Sequence, residues 1–382
     1  MMKQDLSPLS KNQCYFVEDD FLDRANVDVL KGKIKMLDTT HKKLVLTGYR
    51  KPIEFDKILV AWGSQRKRMS KNYSNVHYIE DRHSHARLHN ELLKAKSVTV
   101  VGNTINAFQI AESARNYLDE IGRFEIKVTL INDGESEVRR SMNKGMENFI
   151  KKEMKNNRIN CIVGAKIKEL KGDNSLESII FNKEEQFKDG KIPEVDYMLK
   201  TDLVIAENGI DRPNQELLSM VGYQKNGDET AIAFDDMHIP NANVRFNLIH
   251  NDIHSSIYAV GNCAINQAFI TRNPIRSENS AYNMEAAFFA AMSMMDKRVE
   301  FRYIPHRYMK INDIPIHYVG EEEPRITEVF VEGEVKSGKF IVWYFLGEEI
   351  VGFCTVGYQN LYIYLWEAMK HLIMPQAPMI RS

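Results

Sequence analysis

Apolar and polar positions alternate roughly with period two over residues 33–38, 43–47 and 57–61, with His41 and Gly48 at the turns between them; this predicts a series of short strands. Further on the pattern changes. Residues 98–101 are apolar but for Thr99, 107–117 follow a helical period, and 127–131 form a second largely apolar run, so residues 97–131 read as one βαβ unit with parallel pairing. A helix is expected over 86–95 and a long charged one over 142–156. Strands are expected over 159–163, 167–170 and 176–181, the last two joined by the hairpin signal Gly172-Asp173-Asn174. Residues 182–200 read as a polar excursion, and 203–206 and 257–260 as short buried strands. Residues 279–295 are apolar on nearly all sides, which predicts a buried helix. From residue 301 the chain becomes aromatic and strand-rich (326–331, 339–345, 349–356) and closes with an amphipathic helix over 361–373.

The 382 residues are enough for two or three domains. With 51 Lys+Arg against 52 Asp+Glu, the net charge of -1 makes no electrostatic case for nucleic acid or an anionic membrane. Cys14, Cys161, Cys263 and Cys354 lie far apart with no C-x-x-C, which excludes a redox-active dithiol of the disulfide-reductase kind and a regularly spaced zinc site. No apolar run reaches membrane-span length, and no cleavable targeting signal is expected at the N-terminus. His83, His85 and His89 sit near the start of a helix, but no Cys or carboxylate completes a metal set.

The chemistry concentrates in Ser97–Arg115, the form of a dinucleotide-binding βα turn. Gly102 stands at the first glycine position. Asn103 follows, Thr104 replaces the glycine that lets a pyrophosphate approach, and Ala107 stands at the third position. Asp133 follows the second strand, in position for a ribose hydroxyl. Only 20 glycines occur, below the usual share of about 7%. A cofactor fold that has lost cofactor contacts is therefore expected.

Four segments in order carry a resemblance: Phe55–Ser64, Val100-Val101-Gly102 with its helix, Ala206–Asn214 and Ile257–Ala264. They resemble the two-dinucleotide-binding-domain flavoproteins, the pyridine-nucleotide- and FAD-dependent oxidoreductases. Leu6–Lys11 and the C-terminal Ser337–Phe345 with Ile350-Val351-Gly352 resemble the subfamily of apoptosis-inducing factors and their ferredoxin-reductase-like relatives. The resemblance implies an α/β fold in which an NAD(P)H-type βαβ domain (86–202) is inserted in an FAD-type domain (1–85 and 203–300), followed by a C-terminal α+β domain (301–382). It also implies that the FAD-type domain is truncated, starting after its glycine fingerprint. Trp62-Gly63 replace the family's Thr-Gly beside FAD, and Gly261-Asn262 replace its Gly-Asp. Gln109 aligns with an acidic residue near the flavin–nicotinamide junction.

A vestigial NAD(H) site is thus expected at Gly102, Asn103, Thr104, Asp133 and Gly209, and a vestigial FAD site at Trp62, Gly63, Gly261 and Asn262. The leading expectation is a non-catalytic accessory subunit of a larger assembly, mitochondrial by resemblance, binding no cofactor. Its protein partners would meet the truncated FAD-like face and the C-terminal domain, where Trp343, Tyr344, Phe345, Tyr362, Tyr364 and Trp366 are too many to be all interior. The alternatives are an active NAD(P)H oxidoreductase whose FAD-binding half comes from another chain, and an NAD(H) sensor without chemistry.

Overall fold

The computed structural model describes residues 21–64, 66–183, 196–209, 256–272, 274–275, 277–297, 301–321, 326–375 and 379–380. Residues 6–11 and 210–214, which carried part of the resemblance, lie outside the described residues, as does Cys14.

A helical turn α1 (Phe21–Arg24) precedes a small antiparallel sheet of β1 (Ile34–Asp38), β2 (Lys43–Leu46) and β3 (Ile53–Glu54). β4 (Ile58–Val60) pairs in parallel with β12 (Ile257–Ala259), almost 200 residues later, and β13 (Asn266–Gln267) and β14 (Pro274–Ile275) form a short antiparallel pair after it. Leu37, Val60, Ile257 and Ala259 close a core around this pair.

Between them stands a seven-stranded sheet, in the order β10-β9-β8-β7-β6-β11-β5. Its strands are β5 (Val76–His77), β6 (Ser97–Val101), β7 (Lys127–Asp133), β8 (Ile159–Lys171), β9 (Ser178–Lys183), β10 (Asp196–Lys200) and β11 (Leu203–Ala206). β5, β11, β6, β7 and β8 run parallel, and β9 and β10 add an antiparallel edge. The apolar run of β11 and the largely apolar β6, with Thr99 buried in it, are central and buried on both faces, as parallel strands require. Helices α2 (Arg82–Leu92), α3 (Ile105–Glu120), α4 (Glu137–Met142) and α5 (Lys144–Asn156) accompany this sheet.

Several elements differ from the sequence reading, each for a local reason. α2 begins four residues early because Asp81 and Ser84 form a capping box. The helix expected over 142–156 is α5, starting at Lys144, and the short α4 before it was not expected; Asn143, at φ 87°, ends α4 while its side chain caps α5. The two strands expected over 159–170 are one, bent at Gly164 with φ 71°. β10 lies inside the expected polar excursion. α6 (Ser280–Met294) is not buried all round: Met284, Phe288 and Met295 beyond its end are each about 60% exposed.

The C-terminal sheet is antiparallel, in the order β15-β16-β19-β18-β17: β15 (His306–Ile311), β16 (Ile314–Gly320), β17 (Glu328–Glu334), β18 (Lys339–Leu346) and β19 (Glu349–Val356). The β15–β16 hairpin escaped the pattern reading, although Asn312-Asp313, both at positive φ, is the turn that closes it. One face of this sheet shares a core with α3 and α5, where Phe340 meets Phe149 edge-on and the Tyr344 hydroxyl donates to the Met142 carbonyl at 2.7 Å. The other face is covered by α7 (Leu361–Lys370). The aromatic surplus therefore fills two cores. Trp343, Tyr344 and Phe345 are buried, Tyr362 stacks on His306 and His317, and only Tyr364 of the six is largely exposed.

Candidate functional site

The expected dinucleotide turn lies at the C-terminal end of β6. The Gly102 N–H donates to the Ile131 carbonyl at 3.0 Å, and the Asn132 amide donates to the Gly102 carbonyl. A Cβ at Gly102 would fall 2.1 Å from the Glu207 carbonyl oxygen and 3.0 Å from Ala107 Cβ. The glycine is thus demanded by strand–helix packing, whether or not a ligand binds.

Thr104 is the N-cap of α3, and its hydroxyl accepts the Ala107 N–H at 3.2 Å. The Ile105 N–H is taken at 2.8 Å by the carboxylate of Glu137, from the first turn of α4. The Glu137 N–H in turn donates to the Asn103 carbonyl at 2.6 Å. Arg307 of β15 stands 3.3 Å from the other Glu137 oxygen and donates to Ser141 Oγ at 3.0 Å. Two donors of the α3 first turn are therefore held by the chain's own oxygens. A carboxylate occupies the helix end that in this kind of turn faces a pyrophosphate.

On the opposite wall, Glu207 follows β11, with its N–H on the Val101 carbonyl at 2.8 Å. Its carboxylate is 1% exposed and accepts Arg66 Nη1 at 2.8 Å. Burial pushes the Glu207 pKa up, against the pull of Arg66 and Asn106. Gly209, at φ 77°, faces the turn: a Cβ there would lie 3.5 Å from Thr104 Cγ2 and 3.7 Å from Glu278 Oε1. Gly102, Asn103, Thr104 and Gly209 are thus brought together, while Asp133 ends β7 in register with Ala165. Glu137, Glu207, Arg66 and Arg307 escaped the sequence reading. A glutamate in a helix first turn is an ordinary capping feature, and nothing in the sequence says that it caps a different helix.

The second cluster lies at the C-terminal ends of β4 and β12, where open α/β sheets place their ligands. Gly63 and Gly261 sit there at φ 67° and 80°, and among the described residues neither has an atom within 4 Å of where a Cβ would stand. Trp62 packs against the Leu37–Val60 core, while its indole N–H and the Ser64 hydroxyl are buried with no hydrogen-bond partner among the described residues. Asn262 accepts Asn283 Nδ2 at 3.0 Å. On α3, Gln109 is 5% exposed and its Oε1 is likewise without a partner. Open left-handed turns beside orphaned polar atoms fit the ring and ribityl end of a flavin. Trp62, Gly63, Ser64 and Gly261 would line it, and it would supply electron transfer when bound.

Cys161, Cys263 and Cys354 are free thiols. Burial pushes Cys161 up to about 12, Cys263 up to about 11 and Cys354 further, so none is a thiolate at neutral pH. Among the described residues no group of three metal-ligating side chains occurs, and no helix is long and apolar enough to cross a membrane.

The family model of pyridine nucleotide-disulphide oxidoreductases matches residues 11–287. Human apoptosis-inducing factor 3 is 22% identical over 353 residues, covering 90% of this chain and 52% of that protein. The ferredoxin–NAD(+) reductase component of the Pseudomonas putida p-cumate 2,3-dioxygenase system is 25% identical over 160 residues, 41% of this chain and 38% of that one. The chain thus spans about half the length, or less, of these curated relatives. Among solved structures, a ferredoxin reductase from Rhodopseudomonas palustris superposes with a TM-score of 0.80 at 15% identity, covering 98% of this chain and 84% of that one. Putidaredoxin reductase in its covalent complex with putidaredoxin gives 0.78 at 17% identity, covering 96% and 81%. These likenesses bear out the two-dinucleotide-domain fold with its C-terminal sheet domain. The family match overturns the expectation that no cofactor is bound: it points to flavin and nicotinamide cofactors. The sequence reading took the lost contacts together as loss of the cofactor. It did not foresee that Gly63 and Gly261, after β4 and β12, keep left-handed turns with no described atom beside them.

Proposed function

Because the chain belongs to the pyridine nucleotide-disulphide oxidoreductase family, we propose that it is an apoptosis-inducing-factor-like, FAD/NAD-type flavoprotein in which NAD(P)H-driven turnover is suppressed, and that it serves as an accessory subunit of a larger, mitochondrial assembly. One observation carries this reading: the Glu137 carboxylate sits on the Ile105 N–H, backed by Arg307. A dinucleotide pyrophosphate would have to displace an intramolecular anion whose effective concentration is high and whose ion pair is already made. The resemblance to apoptosis-inducing factors supports the mitochondrial setting. Exposed Met284 and Phe288 on α6 and Val29 and Leu30 before β1 support a protein partner on the FAD-like half.

The open turns at Gly63 and Gly261 favour a second reading, an active oxidoreductase in which Glu137 swings away when NAD(P)H arrives. The two separate in one assay. The full chain is purified, incubated with FAD, freed of excess and mixed with NADH or NADPH and ferricyanide. The first reading expects a flavin spectrum with no NAD(P)H oxidation above free FAD. Sustained turnover establishes the second.

A further inference from the structure

A cleft of about 390 Å³ opens at the free edge of the seven-stranded sheet, beside β5 and away from both clusters described above. Arg68, Lys71 and Arg87 contribute three positive charges to its lining and Glu80 one negative charge, leaving an excess of two. Arg68 is already satisfied: it donates to both Glu80 oxygens at 2.7 Å and lies 4.3 Å over the Tyr78 ring. Lys71 is held in place, 5.1 Å over the Tyr73 ring, with one donor on the Gly172 carbonyl at 3.0 Å and its remaining N–H donors uncommitted among the described residues. Arg87, on the second turn of α2, makes no ion pair or hydrogen bond among the described residues, and the nearby Glu91 is paired with Lys94 at 3.4 Å. His77 on the cleft wall is half-buried, and burial holds its pKa down, so the imidazole is neutral and able to donate one hydrogen bond.

We propose that this cleft binds a small organic phosphate, with Lys71 and Arg87 as the phosphate-holding pair. The charge excess matches a phosphate monoester, which carries about two negative charges at neutral pH. The volume falls in the range of small-molecule pockets, at its lower end, so the class is a sugar phosphate or mononucleotide rather than a dinucleotide. Lys71 is ordered before the ligand arrives, which reduces the entropy lost on binding to that of Arg87. The cleft wall is the connector leading from β4 into the NAD-type sheet, so an occupant ties that connector to α2. The site is independent of the α3 turn and of the reading built on Glu137.

The test is calorimetric titration of the full chain with ribose 5-phosphate, with AMP and with inorganic phosphate, at ionic strength held constant with chloride. Saturable one-to-one binding, weakened about tenfold or more by Arg87→Ala and by Lys71→Ala but unchanged by Lys336→Ala on the far hairpin, supports the site. Binding that all three variants leave equal, or no saturable binding by any of the three probes, overturns it. Melting curves for each variant check that it is folded.

Discussion

Gly102 and Glu137 divide the candidate site between packing and chemistry. Gly102 has the carbonyl of Glu207 against its α-carbon, so any side chain must push β11 away. Gly102→Ala is expected to lower stability by about 3 kcal/mol, read as a shift in the urea midpoint, whatever nucleotide is present. The same glycine in a ligand-driven turn would show its loss mainly in affinity. Glu112 gives a pH-dependent counterpart. Its carboxylate is 3% exposed and accepts the Asn312 N–H at 2.7 Å and Asn157 Nδ2 at 2.8 Å; burial, the largest influence, raises its pKa. A folded-state pKa above the unfolded one gives stability that is full below the unfolded value of about 4.3 and lost as pH rises through the folded value. The chain is therefore expected to gain stability as pH falls from neutral toward that value. Glu112→Gln is expected to flatten this part of the profile in urea melts at several pH values. Glu207, also raised by burial, contributes in the same direction.

At the scale of elements, the β6, β11 and β12 runs were legible because a strand buried on both faces must be near-continuously apolar. The glycine deficit at the α3 turn was legible as well. What occupies that turn was not. Glu137 lies 32 residues from Ile105, and its role follows from α4 docking beside the α3 N-terminus. The aromatic C-terminal sheet misled for a similar reason: alternation implies a solvent face only when one face is free, and here α3 and α5 cover one face and α7 the other. α4 was hidden because it is a six-residue helix set off from α5 by a single residue, Asn143. This residue holds φ 87° and caps the Met146 N–H at 3.0 Å. Asn143→Ala removes the cap and sets at φ 87° a residue that tolerates positive φ less well than asparagine, so a loss of about 2 kcal/mol is expected in thermal or urea melts. Because α4 carries Glu137, the same variant is expected to loosen the contact at α3.

Across the whole molecule, the C-terminal sheet ties the halves together. Arg307 reaches Glu137 and Ser141, Tyr344 reaches Met142, and the Glu321 carboxylate clamps the Ile270 and Thr271 N–H groups at 2.8 and 2.7 Å beyond the Gly261 turn. The flavin-type and nicotinamide-type ends therefore answer to one common sheet. At the nicotinamide-type end, the α3 turn carries a contact between Ile105 and Glu137 that Arg307 of that sheet supports. Titration of the full chain with NADH, comparing wild type with Glu137→Ala, tests this most directly, with melting curves to verify folding. The account predicts weak, unsaturated binding by wild type and an affinity at least about tenfold higher in the variant, a gain of about 1.4 kcal/mol. Tight saturable binding by wild type, unchanged or weakened in a folded Glu137→Ala variant, would contradict it.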